Sequence, residues 1–86
     1  MNFSIIIPIF NEEENILKLN SEISEVIKEN QSDNFQLIYV DDCSKDQSFD
    51  ELKKLKNNFK NKIIRHRINL SQSDAIRTGI NFATYE

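Results

Sequence analysis

Three apolar stretches, separated by segments of helical period, constrain this chain more than any other feature. Phe3 to Ile9 reads FSIIIPI, a nearly continuous apolar run of the kind found in strands covered on both faces, as in parallel sheets. From Glu12 the period changes. Ile16, Leu19, Ile23, Val26 and Ile27 recur at helical spacing, with Asn11 placed as the N-cap and Glu14 as its capping-box partner. Glu12 and Glu13 then suit the positive end of the helix dipole. ENQSDN, Glu29 to Asn34, reads as a polar loop, and Phe35 to Val40 as a second strand. A second helix is expected to start near Asp46 or Ser48, with Phe49, Leu52, Leu55 and Phe59 facing inward. Lys62 to Ile68 is expected to form a third, more polar strand. Ser71 or Ser73 is expected to cap a third helix, with Ala75, Ile76, Gly79, Ile80 and Ala83 on its packing face.

The order strand, helix, strand, helix, strand, helix implies right-handed crossovers and a three-layer α/β/α architecture around a mainly parallel sheet. In such a sheet all strands point one way. Pro8 to Glu12, Asp41 to Asp46 and Asn69 to Ser73 therefore gather at one carboxyl edge, where open α/β sheets bind ligands.

Within that edge the segment LIYVDDCSKDQS, Leu37 to Ser48, runs an apolar strand directly into two adjacent aspartates. Neighbouring carboxylates at a strand end repel each other and resist burial, so they need hydrogen-bond donors, a cation or open water. Asp41 and Asp42 are thus a candidate site. Asp and Ser are equally the ordinary residues of turns and helix caps, which leaves a purely structural reading open.

At 86 residues the chain suits one small domain, burying roughly 60–65% of its unfolded surface. Its 38% hydrophobic content excludes a disordered chain, and a formal charge of -3 argues against a nucleic-acid binder. Lys53, Lys54, Lys56, Lys60 and Lys62 cluster beside Asp50 and Glu51, the pattern of a solvated helix face. Cys43 has no second cysteine to pair with, and no Cys/His cluster offers zinc spacing, so a reducing, cytoplasmic setting is expected. The N-terminus lacks the basic start of a signal peptide, and no run approaches the ~20 apolar residues of a spanning helix.

SIIIPIFNEEENI, then LIYVDDCSKDQS, then RINLSQSDAIRTGINFA, in that order, resembles the start of the family 2 glycosyltransferases, especially the polyprenyl-phosphate, dolichol-phosphate mannose synthase-like branch. The resemblance implies a Rossmann-like N-terminal half of a GT-A fold, with residues 1–86 as a single partial domain. It implies a UDP- or GDP-linked sugar donor, and transfer to a lipid phosphate, glycan or other acceptor. Pro8, Phe10 and Glu12 match the family's loop that contacts nucleobase and ribose. Asp42, and with it Asp41, matches the acid that hydrogen-bonds the base, while Asn69 and Gln72 match a polar turn bordering the donor cleft.

Cys43 and Ser71 stand where the family commonly has Gly, and Phe10 where it has Tyr. The family's Asp-x-Asp motif, which holds a divalent Mg or Mn ion, and its later catalytic base or acceptor-loop acid have no counterpart before Glu86. The chain alone is therefore expected to be inactive and to have no complete metal site. A membrane contact, at the cytoplasmic face, is expected only through other parts of a parent protein. An open sheet edge is expected to promote self-association.

Two other α/β readings fit less well. A receiver-like signalling domain needs an aspartate after the third strand, where this chain reads RHRINLS. A dinucleotide-binding module needs several glycines in one turn, and Gly79 is the only glycine. A non-catalytic assembly module is the remaining alternative. His66, Asp46 and Arg77 are assigned structural or solvated roles, Asp46 as a helix cap.

Overall fold

The computed structural model describes residues 2–57 and 59–83. Six elements alternate along the chain: β1 (Asn2–Ile9), α1 (Ile16–Glu29), β2 (Asn34–Asp41), α2 (Ser48–Lys54), β3 (Lys60–Arg65) and α3 (Gln72–Phe82). The strands form one parallel sheet in the order β1-β2-β3, with Ile9 level with Asp41 and Asp41 level with Arg65. The expected three-layer α/β arrangement is present.

Strand alternation divides the core between the two faces. On one, Ile5, Ile7, Ile9, Leu37 and Tyr39 pack with Ile16, Leu19 and Ile23 of α1 and Leu52 of α2. On the other, Ile6, Ile38, Val40 and Ile64 pack with Ala75 of α3 and with Ala83 just beyond it. Successive crossovers of one hand in an unreversed strand order must share a face, as α1 and α2 do, and α3 then covers the opposite one. Tyr39 is buried, and burial pushes its hydroxyl up to about 12. That hydroxyl donates to Asn20 Oδ1 at 2.8 Å, and Asn20 Nδ2 donates to Asn57 Oδ1 at 2.9 Å.

Several boundaries differ from the sequence reading. α1 begins at Ile16, and Asn15 occupies its N-cap position without a side-chain capping bond. Asn11 is therefore not the cap, because the backbone donors after β1 bind the loop after β2. Asn11 N–H donates to Ser44 Oγ (2.9 Å), Glu12 N–H to Ser48 Oγ (2.8 Å) and Glu13 N–H to Asp46 Oδ2 (3.3 Å). Asn11 itself adopts φ 51°, a left-handed conformation its side chain tolerates, and its Oδ1 accepts from Lys45 N–H at 2.8 Å.

α2 stops at Lys54, where Leu55 turns extended, so Phe59 packs into the core from the approach to β3 rather than from the helix. β3 lies earlier than expected, because its register against β2 ends with Asp41 and Arg65. α3 is capped by Ser71: its Oγ accepts from Asp74 N–H at 3.1 Å, satisfying a first-turn donor, and donates to Asp74 Oδ2 at 2.8 Å. Ala75 and Gly79 form the buried face of α3, whereas Ile76 and Ile80 are exposed. The segment Thr84 to Glu86 lies outside the described residues.

Candidate functional site

The three strand-to-helix loops meet at the carboxyl edge, as parallel strands require. There an open cleft of about 370 Å³ is lined by Pro8, Phe10, Glu12, Asp42, Asn69 and Gln72, joined by Ile9 and Ser71. Six of the seven residues singled out from sequence are thus together. A larger cavity, of about 610 Å³, opens at the opposite end among Ile27, Lys28, Phe35, Lys56 and Phe59. None of the carboxyl-end loops reaches it, and those loops are where open parallel sheets bind ligands, so the smaller cleft is the candidate.

The seventh residue, Asp41, is elsewhere. Adjacent strand residues point to opposite faces, and Asp41 is wholly buried on the side of α1 and α2. Its Oδ1 accepts from Ser44 Oγ and its Oδ2 from Ser44 N–H at 3.2 Å, with Arg65 Nε 3.7 Å away. A buried carboxylate is costly unless donors satisfy it, and these are its donors. Asp41 shapes the loop after β2 and does not line the cleft.

Asp42 faces the other way. Its Oδ1 accepts from Leu70 N–H at 3.0 Å and lies 2.8 Å from His66 Nδ1. A carboxylate can only accept, so that ring nitrogen carries the hydrogen. Asp42 O accepts from Asn69 Nδ2 at 3.1 Å, which ties the third loop to the second. His66 Nε2 is 2.7 Å from Thr78 Oγ1 of α3, and the His66 side chain is only 9% exposed.

The sequence reading assigned His66 a structural role but missed its partner. No local pattern announces the pair. The register provides the signal: Arg65 lies level with Asp41, so the next residue, His66, comes alongside Asp42.

Phe10 is 44% exposed, which excludes a core role for its ring and leaves a face available to a ligand. Glu12 precedes α1, so its placement owes nothing to that helix's first turn; its Oε2 accepts from Asn15 Nδ2 at 3.0 Å. Asp46 sits outside the cleft and prepares the start of α2, accepting from Ser48 N–H (2.9 Å) and Ser48 Oγ (2.6 Å). Burial acts to raise its pKa, but the hydrogen bonds from Ser48 and Glu13 outweigh burial and hold it below the usual carboxylate value. Arg77 is a solvated helix residue beside Asp74.

Cys43 answers the question posed by the absent glycine: it adopts φ 59°, the left-handed conformation glycine would supply, and its Sγ donates to Arg67 O at 3.4 Å. Ser71 has an extended φ of -179°, so its position needs no glycine. No group of three or more His, Cys, Asp or Glu side chains able to enclose a metal ion occurs among the described residues. No described helix is long and apolar enough to cross a membrane.

A parallel sheet with helices on both faces and a polar cleft at its carboxyl edge makes the protein a Rossmann-like open α/β fold. The chain belongs to glycosyl transferase family 2, whose model matches residues 4–86. It is also similar to a dolichol-phosphate mannosyltransferase of Pyrococcus furiosus, with 32% identity over 84 residues. The match covers 98% of this chain and 23% of that protein, so the chain spans about a quarter of the relative's length.

Proposed function

We propose that the cleft at the carboxyl edge is the nucleotide half of a sugar-donor site, and that residues 1–86 are the opening part of a glycosyltransferase catalytic domain. The bound species is a nucleotide diphosphate sugar. Asp42 accepts a ring N–H of the base, Phe10 covers a base face, Glu12 reaches the ribose, and Pro8, Asn69 and Gln72 border the pocket. The observation that carries this reading is the convergence of all six residues on one cleft, from three loops far apart in sequence.

In family 2 glycosyltransferases a divalent metal generally assists the donor diphosphate. The described residues do not form such a centre, so the Mg or Mn ion would take its ligands from elsewhere in a longer protein. This chain alone binds nucleotide and does not transfer sugar. Its parent works at the cytoplasmic face of a membrane, on a lipid phosphate, glycan or other acceptor.

Titration with UDP and GDP, with and without manganese, followed by amide shifts in NMR, tests the reading. Saturable shifts centred on Phe10, Glu12 and Asp42, lost in Asp42→Ala, are the expected result. A folded chain that binds neither nucleotide at millimolar concentration would overturn it.

A further inference from the structure

We infer that His66 is a positioning residue that commits one oxygen of Asp42 to the protein, and that the cleft thereby selects a uracil nucleotide over a guanine nucleotide. The inference rests on the nucleotide-binding reading above and names its base class.

A carboxylate oxygen offers two lone-pair directions. On Asp42 Oδ1 both are taken, by the ring N–H of His66 at 2.8 Å and the backbone N–H of Leu70 at 3.0 Å. Oδ2 has no protein donor among the described residues, and Asp42 lines the cleft, so this oxygen is the acceptor left for a ligand. The carboxylate cannot swing to offer both oxygens while His66 holds it. His66 is itself anchored at its far nitrogen by Thr78 of α3, which fixes the ring plane.

Beside this single acceptor stands a donor. Asn69 Nδ2 spends one hydrogen on Asp42 O and keeps a second, and Asn69 also lines the cleft. Uracil presents one ring N–H flanked by carbonyl oxygens, which matches one acceptor beside one donor. Guanine presents a ring N–H next to an exocyclic amine, two adjacent donors that a carboxylate satisfies best with both oxygens. Here the second oxygen of Asp42 is already committed to His66 and Leu70, so guanine loses the paired contact to its amine that would favour it.

Calorimetric or NMR titration with UDP and GDP tests this on the wild-type chain, His66→Asn and His66→Phe. The wild type is expected to bind UDP at least about tenfold more tightly than GDP, which corresponds to ~1.4 kcal/mol. His66→Asn keeps a donor near the position of Nδ1 and retains most of the preference. His66→Phe fills the same space without a donor, leaves Oδ1 held by Leu70 alone with one lone pair open to a ligand, and narrows the preference to about threefold or less.

GDP binding as tightly as UDP in the wild type, or an unchanged preference in a folded His66→Phe, overturns the inference while leaving nucleotide binding intact. Binding of neither nucleotide overturns both readings. An independent measurement needs no variant: His66 is the only histidine in the chain, so its ring ¹⁵N signals are unambiguous. They should report a hydrogen on Nδ1, and a bare Nδ1 would overturn the inference directly.

Discussion

Two adjacent aspartates divide structure and site between them, because neighbouring strand residues point to opposite faces. Asp41 is buried with Ser44, and Asp42 lines the cleft. Substitution to asparagine should separate the roles. Asp41→Asn leaves one carbonyl oxygen for two Ser44 donors and buries an amide with no acceptor, so a stability loss of about 1–3 kcal/mol is expected, with UDP affinity of the folded fraction within about threefold of wild type. Asp42→Asn keeps the shape and most of the stability, yet can turn a donor toward the base N–H, so binding should be lost. Urea denaturation and titration of both variants check this, and equal effects on both readouts would refute the division. The sequence made the pair conspicuous, but a string of letters does not say which acid faces which layer until the register of β2 is known. Phe10, Glu12, Asn69 and Gln72 were legible because motif order and strand direction alone send their loops to one edge. His66 was not, since its partner lies 24 residues away on a neighbouring strand.

At the scale of elements, the alternation of apolar runs and helical periods marked all six, and the starts of α2 and α3 fell where expected, whereas the start of α1 was misread because the donors after β1 found long-range partners. Asn11 looked like a cap from its neighbours, but its amide is held by Ser44 across the carboxyl edge. The start of α2 depends on Asp46, which gives a prediction about pH. Its folded-state pKa lies below the unfolded value, so its contribution is present above about pH 4 and fades as the pH falls through the folded value. The stability advantage of wild type over Asp46→Asn should therefore shrink below about pH 4. Thermal melts between about pH 6 and about pH 2.5 measure it, and a constant difference would show that Asp46 is not ionised in that role. α3 supplies a packing prediction. A Cβ on Gly79 would overlap Ile6 Cγ2, so the helix approaches β1 more closely than alanine permits. Gly79→Ala gains ~1 kcal/mol of helix propensity but meets an overpacking cost of ~1–3 kcal/mol. A net loss is expected, and Ile6→Ala, which removes Cγ2, should cost less stability in the Gly79→Ala chain than in the wild type. Independent, additive effects of the two substitutions would rule out the contact as the cause.

For the whole molecule, the exposed borders of a three-stranded sheet decide how copies meet. β1 and β3 are the outer strands, and they are not equivalent. β3 carries Lys60 and Lys62, charges of the kind that discourage pairing along an edge. β1 reads NFSIIIPI and carries none. The helix above it adds to the asymmetry. Thr78 bonds His66, and Lys62 Nζ donates to Phe82 O, so that side of α3 leans toward β3. With about 100° between successive residues, Ile76 and Ile80 fall on the other side of Gly79, toward the β1 border, and they are 37% and 60% exposed. An uncharged strand edge beside two exposed isoleucines favours contact between copies of this chain through β1. Sedimentation velocity should show an average mass that rises with concentration. Ile80→Lys, which alters a largely exposed side chain and spares the core, should shift the distribution toward monomer at the same concentration. Arg77→Glu, on the solvated side of α3, should leave it unchanged. A monodisperse wild-type monomer at the highest soluble concentration would show that the β1 edge is shielded by its own twist and by Pro8, and that two isoleucines are too little apolar surface to hold copies together.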